Sequence, residues 1–297
     1  MEDLSRAYQG IHYIKKKRDI AYHVTKWVVF AIFFIYAASL LFPFIWMLIS
    51  SFKKGEEFDL NIFGFPKEFY GMNFIEILKF TIDGQSIANM ILMSVLLTVL
   101  GTIINLFFSS CAAYVLAKFK FKGRGIIYGV AIFTMIVPIV GTLPAQVQMM
   151  QKLHLDGDNA FMGILFLYSG AFGFNFILLY SSFSSVSNSY LEAASIDGCG
   201  RFKTFVRVVL PQCRGSLIAC SVLQSIAYWN DYATPRLYLP RGHVTLAVGL
   251  QSLQTANSGN YPQIFASMMI AVFPILVLYL IFQKKIIEST NAGGLKG

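Results

Sequence analysis

The chemistry open to this chain is carried by few side chains: 15 acids, four histidines and four cysteines among 297 residues. Cys111, Cys199, Cys213 and Cys220 form no CxxC pair and keep no ligand spacing with the histidines, so they read as small packing residues rather than a metal site. His154 and His243 lack a carboxylate or cysteine partner at ligand spacing and read as solvated loop residues. No GxxxxGKS or GxxxxGKT phosphate loop occurs, and no nucleophile–base pair is evident, so no catalytic, metal or cofactor residue is assigned. Two polar places remain. One is LEAASIDGCGRFKTFVRVVLP at 191–211; the other is WNDYATPRLYL at 229–239.

What must position them is a membrane. The chain is 56% hydrophobic and 13% charged, about half the charge of a soluble domain. Six uncharged or nearly uncharged stretches approach the roughly 20 residues that cross a hydrocarbon core: 27–49, 88–117, 125–146, 161–183, 216–237 and 264–282. The expected fold is an all-α integral membrane protein. It has an N-terminal arm (1–26), a six-span domain (27–283) and a short tail (284–297). The 1–2 loop is long and acidic, and predicts a small cap of irregular structure and short helix.

Lysine and arginine decide the orientation. Of 24 basic residues, 17 fall in the arm, the 2–3 and 4–5 loops and the tail. Cytoplasmic loops collect such residues, so both termini and the 191–211 island are expected in the cytosol. The net charge of +9 has the same origin; nucleic acid is not an expected partner. All four cysteines lie toward that reducing side. No cleavable signal is evident, since the first apolar run is too long for one.

The island has a local logic. Leu191–Ile196 holds good helix formers, with Asn188 or Ser189 as a candidate N-cap and Glu192 in the first turn. Gly198 and Gly200 then interrupt the helix, a second amphipathic segment starts at Arg201, and Pro211 closes it. Resting on anionic lipid would explain Arg201, Lys203 and Arg207. It would not explain Glu192, Ala193, Ala194 and Asp197 ahead of Gly198, a pattern of small residues and flanking acids that suits docking of another protein.

Those residues resemble the EAA loop of ATP-binding cassette (ABC) importer permeases. Glu192, Ala193, Ala194, Asp197, Gly198, Phe205, Val208, Leu210 and Pro211 stand at that loop's spacing; Cys199 and Val208 replace its usual alanine and isoleucine. WNDYATPRLYL and the tail GGLKG (293–297) are similar to segments of carbohydrate-uptake permeases of the maltose-transporter type, and PAQVQMMQKLHLDGDNA (144–160) falls at a matching helix end and outer loop. The resemblance implies a type I importer permease in a bacterial plasma membrane, with a coupling loop at 189–215. Glu192, Ala193, Ala194, Asp197 and Gly198 would dock on a separate ATPase dimer that binds ATP and Mg. A second permease, normally different, and an external solute-binding protein are implied as well.

For the substrate path, Asp231 is the one ionisable residue inside or at the edge of a span, and such residues are functional hypotheses by default. Its neighbours Tyr228, Trp229, Asn230 and Tyr232 offer the rings and amides that suit sugars. The structural reading is placed first, with Trp229 and Tyr232 in the outer aromatic belt and Asp231 paired with Arg236. Gln146 and Gln148 are weaker path candidates. Pro43, Pro138, Pro144 and Pro274 stand for either simple kinks or broken helices along a path. A gradient-driven transporter would need several intramembrane acids or inverted repeats, and a membrane enzyme would need clustered catalytic groups; neither pattern is present.

Overall fold

The computed structural model describes residues 2–82, 84–136, 141–256 and 259–294. It divides into two compact units, residues 1–71 and 72–297.

The first unit is dominated by α1 (Glu2–Ser50), a single helix of 49 residues that runs from the basic arm into the first apolar stretch without a break at Pro43. Trp27, Phe30, Phe33 and Ile35 are more than half exposed, so this surface needs lipid or protein to cover it. Beyond it α2 (Gly55–Leu60) forms the expected short helix. The loop after α2 is fastened by Lys53, whose ammonium is buried and donates to the carbonyls of Asn61 (2.7 Å) and Ile62 (3.1 Å). The Trp46 indole N–H also donates to Ile62 O.

The second unit begins with α3 (Met72–Lys79). A two-residue hairpin follows, β1 (Thr81–Ile82) with β2 (Gln85–Ser86), a small exception to the all-helical expectation. Then α4 (Ile87–Lys118) covers the second apolar stretch, its first turn capped by the Ser86 hydroxyl accepting from Asn89 N–H.

The third and fourth stretches are each divided. α5 (Arg124–Ile136) has 13 residues, about 20 Å of helix, short of a 30 Å core. α6 (Leu143–Lys152) opens with Pro144 in its first turn, where the missing N–H costs nothing. Pro138 lies outside the described residues. α7 (Ala160–Tyr168) and α8 (Phe174–Ser185) are separated at Ser169–Gly173, where Gly173 has φ +152°, a conformation reserved for glycine.

The island contributes α9 (Asn188–Ile196), α10 (Arg201–Thr204), a π-turn over Phe205–Val209 and α11 (Leu210–Gln212). The fifth stretch is α12 (Arg214–Trp229) followed by α13 (Ala233–Tyr238). α14 (Leu246–Ala256) and α15 (Tyr261–Gly294) complete the chain. Pro274 lies within α15 without breaking it, and of the tail motif residues 295–297 are outside the described residues.

By length and composition three helices can cross a membrane, within 21–50, 87–118 and 261–284. A fourth is added if the segments 201–212 and 214–229, bent by 83°, count as one. We separate that pair, because an 83° bend sets 201–212 nearly perpendicular to α12. The core lies where α4, α7, α8, α12, α14 and α15 meet, in three buried clusters centred on Phe176, Trp229 and Ile164.

Candidate functional site

Two regions collect the polar side chains singled out above. The first is α9 and its exit. The N-cap is Ser187, one residue before the expected position; its hydroxyl accepts from Ser189 N–H at 3.3 Å. The helix start is tied to the end of α4 by the Lys118 ammonium, which donates to Val186 O and Asn188 Oδ1.

At the other end the chain stops in a Schellman motif. Cys199 N–H reaches back to Ala194 O (2.8 Å), Gly198 N–H reaches Ser195 O (3.1 Å), and Gly198 takes φ +74°. Glycine at that position removes the Cβ penalty of the left-handed turn. The glycine elbow expected between two helical segments is therefore present.

The helix has two faces. Ala194 is buried, whereas Glu192, Ala193, Ile196, Asp197 and Gly198 are exposed, Ile196 at 86%. The two alanines thus do different work: Ala194 seats α9 on its own chain, and Ala193 leaves room on the outer surface. An isoleucine so exposed costs apolar hydration unless something covers it.

Phe205 links the island to α4 and α8. It is 4% exposed, stacks on Tyr114 of α4 with 4.6 Å between ring centroids, and meets Phe183 of α8 edge-on at 6.1 Å. Val209 and Cys213 are buried in the same cluster. Arg201 lies over the Phe119 ring at 5.3 Å.

The second region surrounds Asp231, and here two expectations change. Asp231 does not pair with Arg236: one carboxylate oxygen accepts from the Tyr168 hydroxyl (2.8 Å) and the other from Thr234 N–H (3.1 Å). It caps α13 and holds α7 beside it. Trp229 is not a belt residue. It is 9% exposed and its indole donates to Ala271 O of α15 at 3.0 Å. Tyr228 stacks face to face on Tyr168 at 3.8 Å, and its hydroxyl donates to Tyr168 O. Gly101 admits this pair, since a Cβ there would lie 2.6 Å from the Tyr168 ring.

Among the other path candidates, Asn230 is exposed and donates to Ile226 O, while Tyr232 is half-buried against the Trp229 cluster. Gln146 accepts a long bond from the Tyr238 hydroxyl (3.5 Å), and Gln148 is exposed. So Tyr228, Asp231 and Tyr168 come together, and the two glutamines stay outside that group.

Three amides escaped the sequence reading. Asn175 of α8 is 4% exposed and donates to both Asn105 Oδ1 of α4 (2.9 Å) and Gln224 Oε1 of α12 (2.7 Å). Asn105 in turn donates to the carbonyls of Tyr168 and Gly170, closing backbone left open by the break between α7 and α8. An amide in each of three apolar stretches was the available signal, since polar groups in lipid seek one another. Among the described residues no group of three His, Cys, Asp or Glu side chains could hold a metal ion.

The geometry is matched by known proteins. A model of the family described as binding-protein-dependent transport system inner membrane component covers residues 105–284, more than half of the chain and all of the island. The chain belongs to this family. The arabinooligosaccharides transport system permease protein of Bacillus subtilis is 30% identical, over 86% of this chain and 91% of its own length. The diacetylchitobiose uptake system permease protein of Streptomyces coelicolor is 28% identical over 89% and 86%. The solved bacterial ABC transporter that imports the acidic polysaccharide alginate superposes with a TM-score of 0.75 at 25% identity, covering 88% of this chain and 96% of the matched chain. The protein is a multi-pass, carbohydrate-uptake permease of the ABC importer class, and its fold is that of those permeases.

Proposed function

We propose that this permease forms half of the translocation path of an ATP-driven oligosaccharide importer, with α9 as its coupling helix. Six segments cross the membrane in this reading: α1, α4, α5 with the start of α6, α7 with α8, α12 with α13, and α15. Both termini and α9 are cytosolic, the side favoured by 17 of the 24 basic residues. The observation that carries the reading is α9 itself: a helix stopped at Gly198, exposing Glu192, Ala193, Ile196 and Asp197, and continuous with Phe205, which is locked between Tyr114 and Phe183.

A partner that grips the outer face of α9 moves α4 and α8 through Phe205. That partner is a separate ATPase dimer, which supplies the ATP and Mg sites; this chain is a transport subunit and hydrolyses nothing. A dimer that closes on ATP holds its two docked helices differently in its open and closed states, and only such a difference can drive a switch in the membrane. The second helix belongs to a second, non-identical permease. Cargo arrives on an external binding protein, the class of partner captured with the alginate transporter.

On the cargo side, Tyr228, Asn230, Asp231 and Tyr232 are the residues of this chain we place nearest the path. The relatives that transport arabinooligosaccharides and diacetylchitobiose favour a short saccharide.

Mild-detergent purification of the tagged chain from its own membranes, with mass spectrometry of everything recovered, tests the reading. An ATPase, a second permease and a sugar-binding protein are expected together. A chain that is recovered alone from several detergents, yet remains folded, would exclude the coupled-ATPase reading and favour a gradient-driven transporter.

A further inference from the structure

Beside the coupling helix, and sharing no lining residue with it, is an open groove of about 540 Å³. That is within the range that holds a drug-sized ligand. Its walls are apolar: Tyr114 and Phe119 at the end of α4, then Phe121, and Phe202 on α10. Lys120 and Arg201 stand at its rim. Phe202 is 68% exposed and Phe121 41%. Neither cation makes a hydrogen bond or ion pair to a described acidic side chain; Arg201 leans on the Phe119 ring instead.

The level of this groove relative to a bilayer follows from two geometric facts. α4 carries no charged residue before Lys118, where it ends, and is long and apolar enough to cross a membrane, so the groove is at the end of a candidate spanning helix. The segment 201–212 makes an angle of 83° with α12; if α12 crosses the bilayer, this segment lies along its surface. Exposed Phe202 and Val206 then face acyl chains, while Arg201, Lys203 and Arg207 face headgroups, the arrangement of an interfacial helix.

The geometry points to a bound anionic phospholipid, its phosphate on Lys120 and Arg201 and an acyl chain along Tyr114, Phe119, Phe121 and Phe202. Charge selects it: basic pockets between membrane helices on the cytosolic side take anionic headgroups, and the aromatic wall has no use for a soluble phosphate. The lipid would stiffen the joint through which α9 moves the spans, since it shares Tyr114 with Phe205 and Arg201 with the start of α10. The inference rests on the proposed cytosolic placement of α9.

The test uses the permease purified with its partners in mild detergent, with phosphatidylglycerol and phosphatidylethanolamine counted per permease by mass spectrometry. Phosphatidylglycerol should be retained in preference. The pair Lys120→Gln with Arg201→Gln should lose it about thirtyfold, the scale of two basic residues at an anionic headgroup. The charge-matched pair Lys152→Gln with Arg241→Gln, both exposed and outside the groove, should retain it, as should Lys120→Arg with Arg201→Lys.

Equal loss in both Gln pairs, or no loss in either, would overturn the site. So would release of the lipid by millimolar glycerol phosphate, which would reassign the cations to a soluble anion. Loss of the ATPase instead of the lipid would also overturn it, by making the groove a protein contact. Sidedness is read separately, by a membrane-impermeant maleimide on Cys199: labelling in inside-out vesicles alone is expected. Labelling from outside would refute the placement of α9 without touching the lipid count.

Discussion

Gly198 separates a role within the fold from a role at a partner surface, because the two respond differently to side-chain size. Its φ of +74° costs any L-residue about 1–2 kcal/mol. Nothing stands within 4 Å of the position its Cβ would take and the residue is exposed, so alanine and tryptophan carry nearly the same backbone penalty, and the indole can turn to solvent. Gly198→Ala and Gly198→Trp should therefore insert equally, and unfold in detergent within a few tenths of a kcal/mol of each other. If a partner lies on α9, only the larger side chain meets it. A misplaced residue at the centre of a packed interface costs about 2 kcal/mol or more, roughly thirtyfold in affinity. Uptake of the oligosaccharide carried by the co-purified binding protein should stay near wild type for Gly198→Ala and fall to background for Gly198→Trp, together with ATPase recovery. Equal uptake by the two variants at equal membrane abundance would refute the docking surface and leave Gly198 as a helix stop alone.

Four further outcomes follow from contacts among the packed helices. Phe205→Ala should destabilise the chain by about 3–5 kcal/mol and uncouple ATP hydrolysis from uptake, while Phe205→Leu restores most of the thermal stability; unchanged coupling in a folded Phe205→Ala protein would remove Phe205 from the transmission route. Tyr168→Phe should cost about 1.5–3 kcal/mol by taking a hydrogen bond from the Asp231 carboxylate. Asp231→Asn should shift the concentration giving half-maximal uptake, and an unchanged concentration dependence would leave Asp231 as the cap of α13 only. Asn175→Leu should cost about 1 kcal/mol, because Asn105 Oδ1 and Gln224 Oε1 each lose a donor; a melting temperature equal to wild type would show that lipid-facing partners or water replace it.

What was legible in the residues and what was not divides along the range of the interactions. α9, its glycine stop and the segment from Arg201 were readable because capping and left-handed turns are settled within six residues. α4 and the apolar parts of α1 and α15 were readable because a long uncharged run in lipid has few alternatives to helix; the helical continuation into the basic arm and the tail was not. The break between α7 and α8 was written locally too, in the two glycines of Ser169–Gly173, but an apolar run on both sides concealed it. Trp229 was misread for a different reason. An indole near the end of a span suits an aromatic belt, and its partner, the Ala271 carbonyl, lies 42 residues away on another helix. Residues 246–256 fall between the last two apolar stretches and carry no span signal, yet they form α14, with Leu246 and Leu253 buried and Leu246 N–H donating to Ser94 Oγ of α4 at 2.8 Å. Asn105, Asn175 and Gln224 were visible as types but not as a set, since only the packing of α4, α8 and α12 brings them together.

That set bears on how a push at α9 would travel. Three tiers join overlapping sets of helices: α4 with α8, then α4 with α8 and α12, then α4 with α7 and α12. Phe205 meets Tyr114 and Phe183 at one level; Asn175 bridges Asn105 and Gln224 at the next; Tyr168 and Tyr228 stack beside Asp231 at the third. Each tier ties α4 to at least one other helix of the group by stacking, hydrogen bonds or, at Gly101, close approach. A pack pinned at three levels along its length resists internal shear, because sliding one helix breaks buried hydrogen bonds that lipid cannot replace. Force delivered at Phe205 is then better spent moving α4, α8 and α12 as one body, and the opening and closing of a path would occur where this body ends. Rigid-body rocking of that kind is a recognised form of two-state motion, and in the proposed reading it would place the moving seam at the outer surface of this body rather than among its own helices.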